Sequence, residues 1–386
     1  MRGSGRAFRW FGSRLWLLEV AAAVAALGVP ALASNWSAEF GSTQSLIFDD
    51  NVDLDRTHRD AVLTSSKSVN LNLLAKAKTY KIEIAPVLGV QKTFFSQETD
   101  DWSYFPSLTL ALSKSSKLTT YDLVASFSMH EVSANELVDG FVSVEEGDQL
   151  SYAISSAITR KVNERNSLIW ANSANLVDYT DPSDDLVPFI SLRTSGTWRR
   201  DITDLVASNV TLSMEYFDPD SATQHSRLLY RSTAGLNARL SKRLSVSGAL
   251  GAVLLDPDDG GLTADVIFNV SADYKLKDTS YSLVAARDLS PTQDGDLADR
   301  YSSRFSISHQ VNDAMTFGVF AAYSFQNDSD DNESSALTIS PSISYQLSED
   351  WSSSVSYRYI ETDEDDQKAH SNAVTLNLSY GTFLLP

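Results

Sequence analysis

Cysteine is absent from all 386 residues. That excludes a disulfide framework, thiol chemistry and a lipid-modified N-terminal cysteine. Basic residues are few: 31 Lys and Arg stand against 50 Asp and Glu, for a net charge of −19. Nucleic-acid binders need basic patches, so that class of partner is disfavoured. Histidine is sparse, with five residues and no H-E-x-x-H or other paired arrangement, so a transition-metal site has no support. No glycine-rich phosphate loop follows a strand and opens a helix. Past the N-terminal segment there is no run of about 20 apolar residues, the length a membrane-spanning helix requires. Mean hydropathy is −0.18, a value that looks soluble but also suits a barrel whose strands are half polar.

The N-terminal segment reads as a secretory leader. Arg2, Arg6, Arg9 and Arg14 form a basic region, and Leu15 to Val29 is mostly apolar, interrupted by Glu19. Ala31-Leu32-Ala33 supplies a small-residue cleavage site. The apolar core after Glu19 is about ten residues, too short for an anchor. Residues 1–33 are thus expected to be removed and 34–386 to form one domain. Losing four Arg and one Glu takes the net charge from −19 to −22.

What fills the rest is a period of two. Over Leu262 to Leu276, the residues Leu262, Ala264, Val266, Phe268, Val270, Ala272, Tyr274 and Leu276 alternate with Thr263, Asp265, Ile267, Asn269, Ser271 and Asp273. Over Leu337 to Leu347, Leu337, Ile339, Pro341, Ile343, Tyr345 and Leu347 alternate with Thr338, Ser340, Ser342, Ser344 and Gln346. Successive side chains of a strand point to opposite faces, and a helix would need a period of 3.6. About 18 such runs follow one another, near 36–48, 61–77, 80–94, 104–113, 118–130, 149–162, 167–179, 189–198, 205–217, 226–240, 244–255, 262–276, 280–289, 301–311, 315–326, 336–347, 351–361 and 371–384. No stretch is left over for a plug or a further domain.

Short and long connections alternate. Ser113 to Lys117, Asn163 to Asn166, Ser241 to Arg243, Asn312 to Ala314 and Ser348 to Asp350 are tight. Asp181 to Pro188, Asp256 to Gly261, Pro291 to Arg300, Asn327 to Ser335 and Glu361 to His370 are longer and acidic. An even number of strands with this alternation predicts an all-β, transmembrane, antiparallel up-and-down barrel, its short turns in the periplasm and its long loops outside. A soluble sandwich of so many strands would expose many edges. Aromatic residues near strand ends suit two interfacial girdles: Trp102, Tyr104, Trp198, Tyr216, Phe217, Tyr274, Tyr281, Phe325, Trp351, Tyr359 and Tyr380. The last run carries Val374, Leu376, Leu378 and Tyr380 on one face, with Phe383 one step out of phase.

Taking the polar phase as inward, the lumen would carry Arg227, Arg231, Arg239, Asp265, Asp273, Arg304 and Arg358. Opposite charges facing a water-filled pore set a transverse field and selectivity; alternatively they pair and merely solvate the wall. The other inward residues considered are small, as in Ser245, Ser247, Ala249 and Gly251 or Ser352, Ser354 and Ser356, which leaves room for water. The longest connection holds Glu131, Glu136, Asp139, Glu145, Glu146 and Asp148 without a Lys or Arg. Folded inward, it would narrow the bore and favour cations. The acidic stretches Asp256 to Gly261 and Asp328 to Glu333 do not fit the EF-hand spacing and read as solvated loops, with a weak Ca²⁺ or Mg²⁺ bridge to anionic lipopolysaccharide as the alternative; no resident metal or other cofactor is expected.

The segment Leu46-Ile47-Phe48-Asp49-Asp50-Asn51-Val52-Asp53-Leu54, an aromatic followed by Asp-Asp-Asn and an aliphatic after the first strand, resembles the β-barrel porin 2 family. So does Asp100-Asp101-Trp102-Ser103-Tyr104-Phe105 beyond it. The resemblance covers about the first hundred residues after the leader. It implies an outer-membrane barrel of the kind that accompanies exopolysaccharide export or exosortase-type systems, and brings no catalytic residues.

The expected function is therefore a non-enzymatic outer-membrane channel for hydrophilic solutes or exported polysaccharide. Its partners would be outer-membrane lipid and lipopolysaccharide, the barrel-assembly machinery and periplasmic polysaccharide-export proteins. The second reading is a closed structural barrel whose acidic loops touch surface glycans. A lipid-modifying enzyme is the weakest, since no nucleophile and base are recognisable at a rim.

Overall fold

The computed structural model describes residues 35–52, 54, 61–94, 102–132, 137–138, 141–142, 147–180, 186–221, 224–257, 263–292, 296–327, 333–364 and 367–385. The expected leader lies outside them. In chain order the strands are β1 (Asn35–Asp49), β2 (Val62–Lys76), β3 (Tyr80–Phe94), β4 (Trp102–Ser115), β5 (Thr119–Val132), β6 (Leu137–Val138), β7 (Phe141–Val142), β8 (Gly147–Lys161), β9 (Asn166–Thr180), β10 (Phe189–Asp201), β11 (Val206–Pro219), β12 (Arg227–Arg239), β13 (Leu244–Pro257), β14 (Thr263–Lys275), β15 (Thr279–Pro291), β16 (Leu297–Gln310), β17 (Met315–Asn327), β18 (Glu333–Gln346), β19 (Trp351–Glu364) and β20 (Gln367–Leu385).

Eighteen of these strands form one antiparallel sheet. Each pairs with its neighbour in the chain, β5 pairs with β8 across the insert, and β1 pairs with β20. The sheet therefore closes on itself and leaves no free edge, as the alternation predicts. β6 and β7 form a separate small pair inside the β5–β8 connection, an element too short to register as a periodic run.

Most of the short turns share one device. An oxygen-bearing side chain at the turn accepts backbone N–H groups that the ladder leaves unpaired. Asn163 Oδ1 accepts from the amides of Arg165 and Asn166 at 3.0 and 2.9 Å. Thr203 Oγ1 accepts from Leu205 and Val206 at 3.2 and 3.0 Å, and Ser241 Oγ from Arg243 and Leu244 at 3.1 and 3.0 Å. Asn312 and Ser348 repeat the arrangement with one bond each.

The two faces are unequal. One phase of each strand carries large apolar residues that remain exposed, such as Leu212, Leu236, Leu250, Val270, Leu283, Ile343, Val355 and Leu376. Opposite-phase side chains on β11, β12 and β15 meet one another across the intervening strands, which is possible only inside the ring. The apolar phase is therefore the outer face and the polar phase the lumen. Aromatic rows border the outer face, with Trp351 and Tyr380 5.0 Å apart at the short-turn end and Tyr301 and Phe325 6.0 Å apart at the long-loop end. Phe217 is a correction to the expected girdles. It lies on the lumenal phase of β11 and is 0% exposed. Near the end of β20 the register with β1 shifts between Ala38 and Glu39. That irregularity is where Phe383 falls out of phase with the residues before it.

Candidate functional site: the barrel lumen

The lumen is closed off in part by the chain itself. β14 pairs with β13 up to Thr263, but with β15 only as far as Phe268 opposite Arg287. β15 and β16 stay paired to the end, Pro291 opposite Leu297. The tip of this hairpin therefore leaves the wall, and its contacts lie inside. Leu297 joins a buried apolar cluster with Phe217, Leu229, Val253 and Ile267, and Leu289 packs against it. At the tip, Thr292 Oγ1 accepts from the Asp296 amide at 3.0 Å.

Charged groups latch the hairpin to the wall. Arg231 on β12 is 6% exposed. It donates to Glu215 on β11 at 2.5 Å, to Asp288 on β15 at 3.1 Å and to the Leu289 carbonyl at 2.6 Å. Arg227 pairs with Asp296. Burying a guanidinium is costly unless its donors are satisfied, and here two carboxylates and a carbonyl do so. Where the β14–β15 ladder stops, Arg287 spans the gap, 2.6 Å from Asp265 and 2.7 Å from Asp299. It also lies over the Tyr301 ring, 4.9 Å from its centroid.

The expected lumenal charges thus separate. Arg227 and Arg231 lie on the lumenal wall as the strand phase requires, but in ion pairs rather than in open water, because the hairpin covers them. Asp265 serves Arg287. Arg358 pairs with Asp49 at 3.2 Å. Arg304 is exposed on the lumenal phase of β16. Arg239 and Asp273 line a cavity of about 540 Å³ at the short-turn end, together with Arg165, Arg199, Asp201 and Asp204. Small inward residues hold as read at that end of β13, where Ser245 and Ser247 line the same cavity. Farther along the same strand Val253 enters the buried cluster, so the lumen changes from polar to apolar along its length.

The long β5–β8 connection also reaches across. The Cα atoms of β7 come within 8 Å of β18, which lies seven strands from β5 by the shorter way round the ring. On the facing wall Ala336 and Thr338 of β18 are buried, as are Ala322 and Ser324 of β17. Asp148 is half-buried at the base of β8. Glu136, Asp139, Glu145 and Glu146 lie outside the described residues, and Glu131 is placed by its backbone in β5.

Phe48-Asp49-Asp50-Asn51 forms the seam where the first and last strands meet. Asp49 accepts from the Asn51 amide at 3.0 Å and from Ser371 Oγ at 2.6 Å. Asp50 accepts from the Asn372 amide and side chain at 2.7 and 2.8 Å, while Asn51 donates to the His370 carbonyl at 2.8 Å. Asn51 is 0% exposed. Phe48 points outward, 51% exposed.

Sequence reasoning missed Glu215, Arg287, Asp288 and Asp296. Glu215 and Asp288 stand in polar phases that could have been read. The departure of a hairpin from the wall leaves no periodic mark. Among the described residues no group of three or more acidic, histidine or cysteine residues is placed to hold a metal.

These features define a closed antiparallel β-barrel of 18 strands. No family model matches the chain, and no curated protein matches it in sequence. Solved structures similar in fold include OccAB4 of Acinetobacter baumannii, 11% identical over 92% of this chain and 100% of that one, with a TM-score of 0.50. OccK7 (OpdD) of Pseudomonas aeruginosa is 11% identical over 91% and 100%, with a TM-score of 0.51. OccK5 (OpdH) of the same organism is 10% identical over 91% and 98%, also at 0.51.

Proposed function

We propose that this chain is an outer-membrane channel of porin type for hydrophilic solutes, delivered by a cleaved leader and inserted by the barrel-assembly machinery. The observation that carries this reading is a closed ring with an apolar outer face and a lumen bearing open charge at one end. A ring of 18 strands is wide enough for an aqueous passage, and only a closed barrel leaves no unpaired strand in lipid. The charged cavity at the short-turn end forms the periplasmic vestibule. The latched hairpin and the β6–β7 pair narrow the path beyond it. Fixed charges along such a path set which sign of solute passes.

The finer reading, passage of an acidic exported polysaccharide together with periplasmic export proteins, is supported by the resemblance around Phe48 to Asn51 and by Arg165, Arg199 and Arg239 in the vestibule. The buried hairpin favours a second reading, in which the resting barrel is closed and its acidic loops contact surface glycans. Single-channel recording of refolded Ser34 to Pro386 in a planar bilayer under a salt gradient separates them. Steady steps are expected, with a reversal potential reporting the preferred sign. A folded barrel without steps sinks the channel reading and leaves the structural one. No catalytic role is assigned to any residue.

A further inference from the structure

Within its apolar belt the outer face carries a cation that the channel reading does not use. Lys67 stands on the apolar phase of β2, between Val69 and Ser65, and is exposed. It faces Gln44 on one side and Val90 on the other. Among the described residues it has no hydrogen-bond or ion-pair partner. Charged groups on a lipid-facing wall are costly and tend to mark a function.

A second lysine stands beside it. Lys92 is on the same face of β3, paired in register with Ser65 of β2 and with Trp102 of β4. Its ammonium lies 5.2 Å from the Phe94 ring centroid and 5.5 Å from that of Trp102, at the aromatic row of the long-loop end. Lys67 is one outer-face step farther into the belt. Its four-carbon stem lets the charged head rise toward the interface, as long cationic side chains do near membrane surfaces. Gln44 Nε2 already donates to Ser65 Oγ at 3.0 Å, which fixes the polar floor between the two lysines.

Among the described residues Lys67 meets no counter-charge within the chain. Outer-face acids such as Asp178, Asp218 and Glu361 lie toward the long-loop ends of their strands, beyond the aromatic rows. None of the described acids meets Lys67 at its depth. We infer that Lys67 and Lys92, on the outer wall of β2 and β3, bind the phosphate of an outer-leaflet glycolipid of the lipopolysaccharide type. Two ammonium groups suit a phosphate as point charges, and Phe94 and Trp102 supply the apolar flank for the sugar and acyl chains. The inference rests on the outer-membrane reading above.

The test uses refolded Ser34 to Pro386 in phosphatidylcholine vesicles that contain lipid A or dephosphorylated lipid A, followed by native mass spectrometry. Wild type is expected to retain lipid A and to lose most of it when the phosphates are removed. The double variant Lys67→Gln/Lys92→Gln should bind about thirtyfold more weakly, the sum of two basic residues near an anionic surface. Lys114→Gln, a cation over Tyr80 at the opposite end of the belt, should bind as wild type does. Equal retention by the double variant, or of the dephosphorylated lipid, overturns the site. An oligomer that the double variant breaks would replace the lipid with a second copy of the chain. Insertion is read separately by heat-modifiable migration. A chain that never enters the vesicles fails the membrane reading, whereas an inserted chain with unaltered lipid binding fails this inference alone.

Discussion

Asp49 near the end of the first strand accepts a 2.6 Å hydrogen bond from Ser371 of the last strand, 322 positions away. Both side chains are buried, at 4% and 1% exposure. Arg358 reaches the other oxygen of the same carboxylate. A barrel has one seam that no hairpin turn ties, and this clasp lies on it. Replacing Asp49 by Ala should lower stability by about 3 kcal/mol, since it strands a guanidinium and a hydroxyl. Asp49→Asn should cost less, because its amide oxygen still accepts from Ser371. Urea unfolding followed by tryptophan fluorescence checks both. An unchanged midpoint for Asp49→Ala would show that the seam holds without the clasp.

Arg231 is expected to govern whether the β15–β16 hairpin stays inside the lumen. Arg231→Met leaves Glu215 buried without its counter-charge, with the Ser191 hydroxyl still donating to it, so larger conductance steps should accompany a loss of stability of about 3 kcal/mol. Adding Glu215→Leu should recover most of that stability while the larger steps remain. Wild-type step size in the double variant would mean that the apolar contacts of Leu289 and Leu297 hold the hairpin alone.

The three arginines of β12 are expected to divide between selectivity and latching. Arg239 lines the open cavity, whereas Arg227 and Arg231 are ion-paired. Arg239→Ser should therefore shift the reversal potential toward cations with little change in step size. Arg227→Ser should chiefly change step size. Replacing all three by Ser should combine both effects, and no shift in reversal potential would remove Arg239 from the permeation path.

Deleting Glu136 to Glu146 removes β6, β7 and four carboxylates, those of Glu136, Asp139, Glu145 and Glu146. Conductance should rise and any cation preference should weaken. Unchanged steps would place the connection over the mouth, outside the path.

Gly89 tests the packing of the lumenal wall. A Cβ built there falls 1.7 Å from the Phe105 ring, which lies directly across in register. Gly89→Ala must swing the ring aside, at a cost of about 1–3 kcal/mol. Pairing it with Phe105→Leu should recover part of that loss in the same urea titration. Strict additivity of the two changes would show that they do not share the space.

Much of the architecture is legible in local pattern. The alternation over Leu262 to Leu276 identifies β14 to within a residue at each end, and that over Leu337 to Leu347 identifies β18 to within a residue at its end and four at its start, because a half-buried strand must place every second side chain on one face. The tight turns are legible for a similar reason, since Asn163, Thr203 and Ser241 cap their own backbone within three residues. The motif Phe48 to Asn51 is visible as a motif, but its partners on β19 and β20 lie more than 300 residues away and nothing local points to them.

What the chain determines by itself, then, is the number of strands, their two faces and the alternation of short and long connections. Those properties follow from neighbours one to four residues apart. The tertiary structure alone decided which lumenal charges stay open. Arg231 and Arg239 share a strand and a phase, and read alike in sequence. One is buried against Glu215 and Asp288, the other lines a water-accessible cavity. The difference arises because the tip of β15–β16 leaves the wall and turns inward, which depends on where the ladder to β14 ends and on an apolar cluster gathered from six strands. Contacts of that range are set by closure of the ring, and no window of the sequence contains them.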